Sequence, residues 1–405
     1  MTDVVVPGAG DFDEIAGLLA LAFHGGLDQE LLEVERGVFE PERGLLVRDG
    51  GTAVAHAAAF TRELAVPGAS VPAAHVTMVS VAPTHRRRGL LTGLMRRQLR
   101  EIRDAGREPI AVLWASEGRI YPRFGYGLAA QRLTVRCDTA GLRLPASASA
   151  AGTLRLDRPA ARQAELAELY ERARAGRPGW SNRDEHWWRY VLADVKSLRE
   201  GATERRVLLH EGPAGVDGYA LFRTKDAWEP TGPRGEVRVD EVVAADHDAY
   251  LALWRLLLTI DLTRRLSAPI AVDEPLLWLV NEPRQLDAHL SDTLWVRVVD
   301  VPAALAARRY ATDVDVVIEV SDELLPENTG RWRLVGGPSG ATCTASIGPA
   351  GLACDVRALG ELYLGGTGLG TLAAAGRVRE LVPGTVATAG PAFGWHRAPA
   401  AMEVF

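Results

Sequence analysis

A chain of 405 residues, 47% apolar, with 46 Lys and Arg against 52 Asp and Glu and a formal charge of -6, is long enough for two or three hydrophobic cores. The acidic balance excludes a protein built chiefly to grip nucleic acid, which needs a dominant basic surface. Three cysteines (Cys137, Cys343, Cys354) at no ligand-like spacing exclude a disulfide framework and a zinc site, so no metal is expected.

The opening apolar run is interrupted by Asp13 and Glu14, which argues against a signal peptide; no membrane span is expected, and the cytoplasm is the default compartment. In chain order, the patterning predicts a helix over 11–23, strands at 44–48, 52–62 and 75–81, a long helix over 89–105, and a buried strand over 110–115. Pro83 closes the strand before it. The Ala- and Ser-rich stretch from Pro145 to Gly152 reads as a linker. A similar order then returns: a helix over 163–175, strands at 206–210, 218–223 and 236–243, a helix over 247–264, and an apolar run near 276–280, which suggests an internal duplication. Beyond Val296 the pattern shifts to a helix at 302–309, strands at 313–320 and 330–335, a helix at 356–364, and the closing Met402–Phe405, as in a compact α+β domain. The division expected is 1–145, 146–295 and 296–405.

The strongest signal lies between His75 and Leu91. A strand ending at Pro83 leads into Arg86, Arg87, Arg88 and Gly89, and a helix begins at once with Leu90 and Leu91. Free amides at a helix N-terminus, with the helix dipole behind them, seat a phosphate. Gly89 lets the backbone approach the anion, and arginines add bidentate contacts. Arg86-Arg87-Arg88-Gly89-Leu90-Leu91 resembles the pyrophosphate loop of the GNAT acetyltransferase superfamily, with Leu91 where a small residue is usual. The resemblance implies acetyl-CoA as co-substrate. Its pantetheine arm would pair with the exposed edge Met78–Val81, Val79 and Val81 supplying the backbone partners, much as a peptide adds to a sheet edge.

After the buried strand comes Ser116-Glu117-Gly118-Arg119-Ile120-Tyr121-Pro122-Arg123-Phe124-Gly125-Tyr126. It resembles the superfamily pattern in which a tyrosine protonates the departing sulfur, and the match falls on Tyr121. Tyr126 is expected to be a buried structural phenol bonded to a carbonyl. A thiolate has a reference pKa near 8.5 and tyrosine near 10, so a nearby phenol can donate as charge develops on sulfur. Ser116 is placed to bond the pantetheine.

The two blocks VSVAPTHRRRGLL and ASEGRIYPRFGYG, with the late segment Leu352–Gly360, resemble the enhanced intracellular survival (Eis) family of aminoglycoside N-acetyltransferases over nearly the full length. The resemblance implies tandem GNAT-like domains, each a mixed central sheet flanked by helices, followed by a sterol-carrier-protein-like α+β domain. It also implies a terminal carboxylate on Phe405 acting as base, a small cationic amine as acceptor, and a homo-hexamer; neither nucleic acid nor membrane is expected as partner, on the charge and hydropathy given above. Where the second copy would carry the cofactor loop it has Asp246-His247-Asp248 and no glycine, and its aspartates would repel a phosphate, so one cofactor site per chain is expected. Competing expectations are transfer to lysines or polyamines, and a non-catalytic acyl-CoA or lipid binder.

Overall fold

The computed structural model describes residues 4–145 and 152–405; the linker expected at Pro145 to Gly152 falls on 146–151, outside the described residues. The first stretch forms β1 (Val4–Val5), α1 (Phe12–Phe23), α2 (Gln29–Arg36), β2 (Leu45–Asp49), β3 (Thr52–Val66), β4 (Ala69–Val81), α3 (Leu90–Ala105), β5 (Ile110–Trp114) and β6 (Gly127–Leu128). Leu94, Met95, Leu99 and Ile102 give α3 one buried face, the spacing of an amphipathic helix, and left-handed Gly106 ends it. β4 begins at Ala69 rather than at His75. Only its start alternates, buried Val71 and Ala73 with exposed Ser70 and Pro72, and the small side chains make that alternation faint in the sequence.

Next come β7 (Gln131–Asp138), β8 (Thr153–Asp157), α4 (Gln163–Arg174), α5 (Glu185–Leu192), β9 (Arg206–Gly212) and β10 (Gly215–Lys225). A two-residue ladder follows, β11 (Trp228–Glu229) with β12 (Gly232–Pro233), then β13 (Gly235–Ala244), α6 (His247–Thr259), β14 (Thr263–Ala271), α7 (Leu276–Leu279) and β15 (His289–Asp292). The helix expected over 247–264 stops at Thr259. Ile260 leaves helical geometry, Leu262 takes a positive φ of 64°, and the chain turns into β14, where Leu266, Ala268 and Ile270 alternate inward. The apolar run after it is the short helix α7.

The last part contains β16 (Leu294–Val298), α8 (Val301–Ala307), β17 (Val314–Ser321), β18 (Gly330–Gly337), β19 (Gly340–Ala345), β20 (Leu352–Asp355), α9 (Val356–Leu362), α10 (Leu369–Ala374), β21 (Val378–Glu380) and α11 (Thr385–Phe393).

These elements make three main sheets, ordered β1-β2-β3-β4-β5-β16-β6, β15-β7-β14-β13-β10-β9-β8 and β19-β18-β17-β20-β21. Two compact units result. One holds the chain up to Ala130, Arg177–Asn182 and Asp292–Phe405; the other holds Gln131–Gly176 and Arg183–Ser291. The first sheet is completed by β16, which pairs antiparallel with β5 from Leu294↔Trp114 to Val298↔Ile110. β7, which follows β6 in the chain, pairs instead with β14 in the second sheet. Both sheets are mixed, with β4–β5 and β13–β14 their parallel pairs.

In the first unit, α9 lies directly on β6 and β16. A side chain at Gly127 would meet the Arg357 carbonyl, and one at Gly360 would meet that of Val296. Arg297 on β16 donates to both oxygens of Asp322, at 2.8 and 2.7 Å, with both side chains buried. Asp322 also accepts from Asn328 Nδ2 and from the Leu324 and Leu325 amides, so its buried charge is fully partnered. Arg308, 1% exposed, donates to the carbonyls of Leu362, Tyr363 and Phe393, where α9 and α11 end, the end of a helix that favours a cation. In the second unit, buried Arg183 grips Glu241 with two bonds of 3.1 and 2.7 Å and stacks over Tyr170, tying α4 to β13.

Candidate active site

The first sheet opens into a fork between β4 and β5. Their parallel pairing runs only from Ala73↔Ile110 to His75↔Val112. Beyond it Leu113 and Trp114 pair with β16, while β4 from Val76 to Val81 stays on β3 alone. One edge of that half-strand therefore presents unpaired backbone groups, the kind of edge an extended ligand can extend. A bulge sharpens the bend. Ala58 pairs with Thr77 and His56 with Ser80, so Ala57 faces both Met78 and Val79, and Met78 takes a positive φ of 51°.

β4 runs through the short turn Pro83–His85 into the arginine loop. Arg86, Arg87, Arg88 and Gly89 are exposed; Arg86 Nη2 donates to the Ala22 carbonyl at 3.3 Å. Gly89 caps α3 with φ 83°, and among the described residues no side-chain cap bond reaches the first turn. A Cβ at Gly89 would meet nothing within 4 Å, so its role is conformational: it supplies the left-handed cap, leaving the amides behind it open to an anion. Leu91, the departure from the small-residue pattern, packs with Val79 and Ile120 against the core that contains Tyr121, and Leu90 packs with Val81 on the neighbouring cluster. Both side chains thus have apolar partners of their own.

Tyr121 opens a one-turn helix to Phe124 and shares an apolar cluster with Val76 and Leu113, the residues just past the fork on its two arms. It is 6% exposed, and burial pushes its pKa up to about 12. Tyr126 lies edge-on to it, ring centroids 5.9 Å apart, and is fully buried, with its pKa pushed up chiefly by burial. The carbonyl-bonded hydroxyl expected for Tyr126 is not what the fold provides: its oxygen meets no partner among the described residues. A side chain at the neighbouring Gly125 would crowd Arg297 and Val356, so this turn is packed from behind. Ser116 is exposed, two residues beyond the end of β5.

Phe405 reaches the same fork. Its ring packs on His75, the last β4 residue paired with β5, at 4.6 Å between centroids. The segment leading to it is tied along 177–182: Arg177 Nη1 donates to the Ala398 carbonyl at 2.9 Å, and the Ala400 amide to that of Pro178 at 2.9 Å. Arg62, 3% exposed, donates to Glu403 at 2.7 Å and, through Nε and Nη2, to the Asn182 carbonyl.

Buried His75 has Nδ1 2.9 Å from the Ala73 carbonyl and Nε2 2.7 Å from Ser181 Oγ. A carbonyl only accepts, so Nδ1 carries the proton and Nε2 accepts from the serine. Burial, with Arg62 adding to it, drops its pKa to about 3, which makes it a neutral platform rather than a base. His75 stands at the head of the cofactor segment, but nothing in the sequence marks its contacts with Ser181 and Phe405, and Arg62 and Ser181 lie in no motif.

The second unit differs at the corresponding place. The Asp246 side chain caps α6 by accepting from the Ala249 amide at 2.9 Å, so that helix start is already satisfied by the chain's own carboxylate.

Comparison with known proteins adds to this geometry. The chain matches models of an acetyltransferase (GNAT) domain at residues 7–129, a second GNAT domain at 179–298 and a sterol carrier protein domain at 301–402. It is 45% identical over 402 residues to an N-acetyltransferase of Streptomyces avermitilis, covering 98% of each chain. It is 38% identical over 375 residues to the N-acetyltransferase Eis of Mycobacterium tuberculosis, covering 89% of each. The crystal structure of Eis1 from Mycobacterium abscessus superposes with a TM-score of 0.85 at 34% identity, each chain covered fully. A GCN5-related N-acetyltransferase from Anabaena variabilis shares the fold, with a TM-score of 0.86 at 20% identity.

Proposed function

This chain belongs to the Eis family of GNAT N-acetyltransferases, and from that premise we propose that it moves the acetyl group of acetyl-CoA onto amines of polycationic acceptors such as aminoglycosides, at more than one position. The diphosphate rests on the amides around Arg86, Arg87, Arg88, Gly89 and Leu90, and the pantetheine arm pairs with Met78, Val79 and Val81 and meets Ser116. The acceptor amine attacks the thioester carbonyl. A C–N bond forms, the C–S bond breaks, and the sulfur leaves under a hydrogen bond from Tyr121, whose proton it takes as CoA departs. The carboxylate of Phe405 takes the proton lost by the amine.

A tyrosine held near pKa 12 is a weaker acid than a thiol, so Tyr121 donates in concert with C–S cleavage rather than in advance of it. Burial keeps it protonated across any working pH.

The observation that carries this reading is the convergence of Tyr121, the Phe405 ring and the open half of β4 on a single fork. Release of free CoA from acetyl-CoA is the test, read with a thiol reagent against a panel of aminoglycosides, diamines and lysine peptides. Turnover with aminoglycosides at two or more amines is expected; silence with every amine would overturn the proposal. One observation favours lysine side chains as acceptors: Glu403 is engaged by Arg62, which neutralises a carboxylate that a multiply charged substrate would otherwise use. A homo-hexamer in the cytoplasm completes the reading, with light-scattering mass as its check.

A further inference from the structure

We propose that His56 is a positioning residue for acetyl transfer: by holding the Met78 carbonyl it keeps the β4 bulge in its strained form and so keeps the fork open for the thioester arm of acetyl-CoA. This rests on the acetyl-transfer reading above and adds to it a residue with no part in that scheme.

His56 sits on β3 opposite Ser80, immediately before the one β3 residue that faces two on β4. Its Nδ1 lies 3.0 Å from the Met78 carbonyl oxygen. Because a carbonyl only accepts, that nitrogen carries the proton and Nε2 is left with a bare lone pair. His56 is 0% exposed, and Nε2 meets no partner among the described residues. A buried nitrogen without a partner destabilises the fold, and an aliphatic side chain would fill the same space without that penalty. The bond to Met78 is what the histidine contributes in return.

Met78 needs that bond. A non-glycine residue at φ 51° is strained and persists only where its surroundings over-determine it. Two attachments do so here. The Met78 side chain packs with Phe12, Ala16, Leu32 and Phe39, and its carbonyl is held by a ring that lies 6.4 Å from that of Phe39. The same apolar patch between α1 and α2 thus braces both the residue and the ring gripping it. The bulge follows the last β4–β5 pair, at His75, by only three positions, so the bend it enforces turns β4 away from β5 where the reactive end of the arm would lie. Burial also lowers the His56 pKa to about 4, so the ring stays neutral through the physiological range and its grip does not vary with pH there.

Four versions of the full-length enzyme test this: wild type, His56→Leu, His56→Asn, and His56→Leu combined with Met78→Gly. Each is measured for CoA affinity by calorimetry, for kcat and KM with acetyl-CoA, and for thermal midpoint. His56→Leu is expected to lower kcat/KM for acetyl-CoA by about 10-fold to 100-fold, the scale of a small misplacement of a reacting group, and to weaken CoA binding. Its thermal midpoint should change little, since an unpartnered nitrogen and a strained torsion go together. His56→Asn keeps an N–H donor near the Nδ1 position and is expected to retain most of the activity. Met78→Gly, which makes the positive φ free of strain, should recover part of what His56→Leu loses. If CoA affinity and kcat/KM per folded molecule are unchanged in His56→Leu, or if Asn is no better than Leu, the positioning role is wrong. Should His56→Leu fold poorly, the Asn variant and the double variant still decide. Failure of the wild type to bind CoA would instead sink the acetyl-transfer reading on which the inference stands.

Discussion

Replacing each of the two adjacent tyrosines with phenylalanine should move activity and stability in opposite patterns. Tyr121→Phe removes the phenol that the superfamily pattern assigns as acid, which shares a cluster with Val76 and Leu113 on the two arms of the fork. Lost acid help typically costs 10² to 10⁴ in kcat, or about 2.7–5.5 kcal/mol of barrier. Its hydroxyl makes no hydrogen bond among the described residues, so the thermal midpoint should stay close to wild type. Tyr126→Phe removes a hydroxyl that is fully buried without a partner. Relief of an unsatisfied buried polar group is worth about 1–3 kcal/mol before the loss of packing, and roughly 2–4 °C in midpoint per kcal/mol for a unit of this size. The assay is free CoA release at saturating acetyl-CoA and acceptor, alongside a thermal melt of the same preparations. Tyr121→Phe should be nearly inactive and equally stable, and Tyr126→Phe active and more stable. Equal losses of kcat in the two, or a kcat loss confined to Tyr126→Phe, would refute the assignment of Tyr121.

A short peptide added after Phe405 should depress kcat at least 10²-fold through loss of the carboxylate, with KM for acetyl-CoA little changed; an active tagged enzyme would remove Phe405 from the mechanism. His75 and His56 have folded pKa values lowered to about 3 and about 4. The stability tied to keeping them neutral is therefore fully present above pH 6.5 and is lost as pH falls toward those values. Each contributes a loss of about 1.4 kcal/mol per pH unit below 6.5, so denaturant melts at pH 5 should show a deficit of roughly 4 kcal/mol from the pair, and a flat profile between pH 7 and 5 would contradict their neutral burial. Arg308→Met should destabilise the first unit by about 3–5 kcal/mol, as expected when buried polar groups lose their partner; urea melts unchanged within 1 kcal/mol would show that the three carbonyls find other donors.

Much of the local structure around the fork is legible in the sequence. The arginine loop and the Tyr121 turn are local: their residues lie within a few positions of one another, so spacing alone exposes strand, turn and helix. The rest depends on distance in sequence. Arg62 and Glu403 meet across |i−j| of 341, and His75 and Ser181 across 106, and no period or motif links such positions. The overextended helix at 247–264 arose because Leu-rich α6 runs into Thr263–Ala271, whose inward alternation is weakened by the paired Arg264 and Arg265 and by Pro269. The orphaned hydroxyl of Tyr126 was illegible for a different reason: satisfaction of a buried group depends on what packs around it, here Arg297 from a strand far along the chain.

The late arrival of β16 has a consequence for biosynthesis. Leu294 follows Trp114 by about 180 residues, so β5 waits on the ribosome for one of its two neighbours. At ordinary translation speed that delay is roughly 10–40 s, during which a hydrophobic strand edge stands unpaired and open to wrong partners. A fragment ending near Ala130 would carry the same open edge permanently. The first sheet can therefore close only after synthesis has passed Val298, the last β16 residue paired with β5.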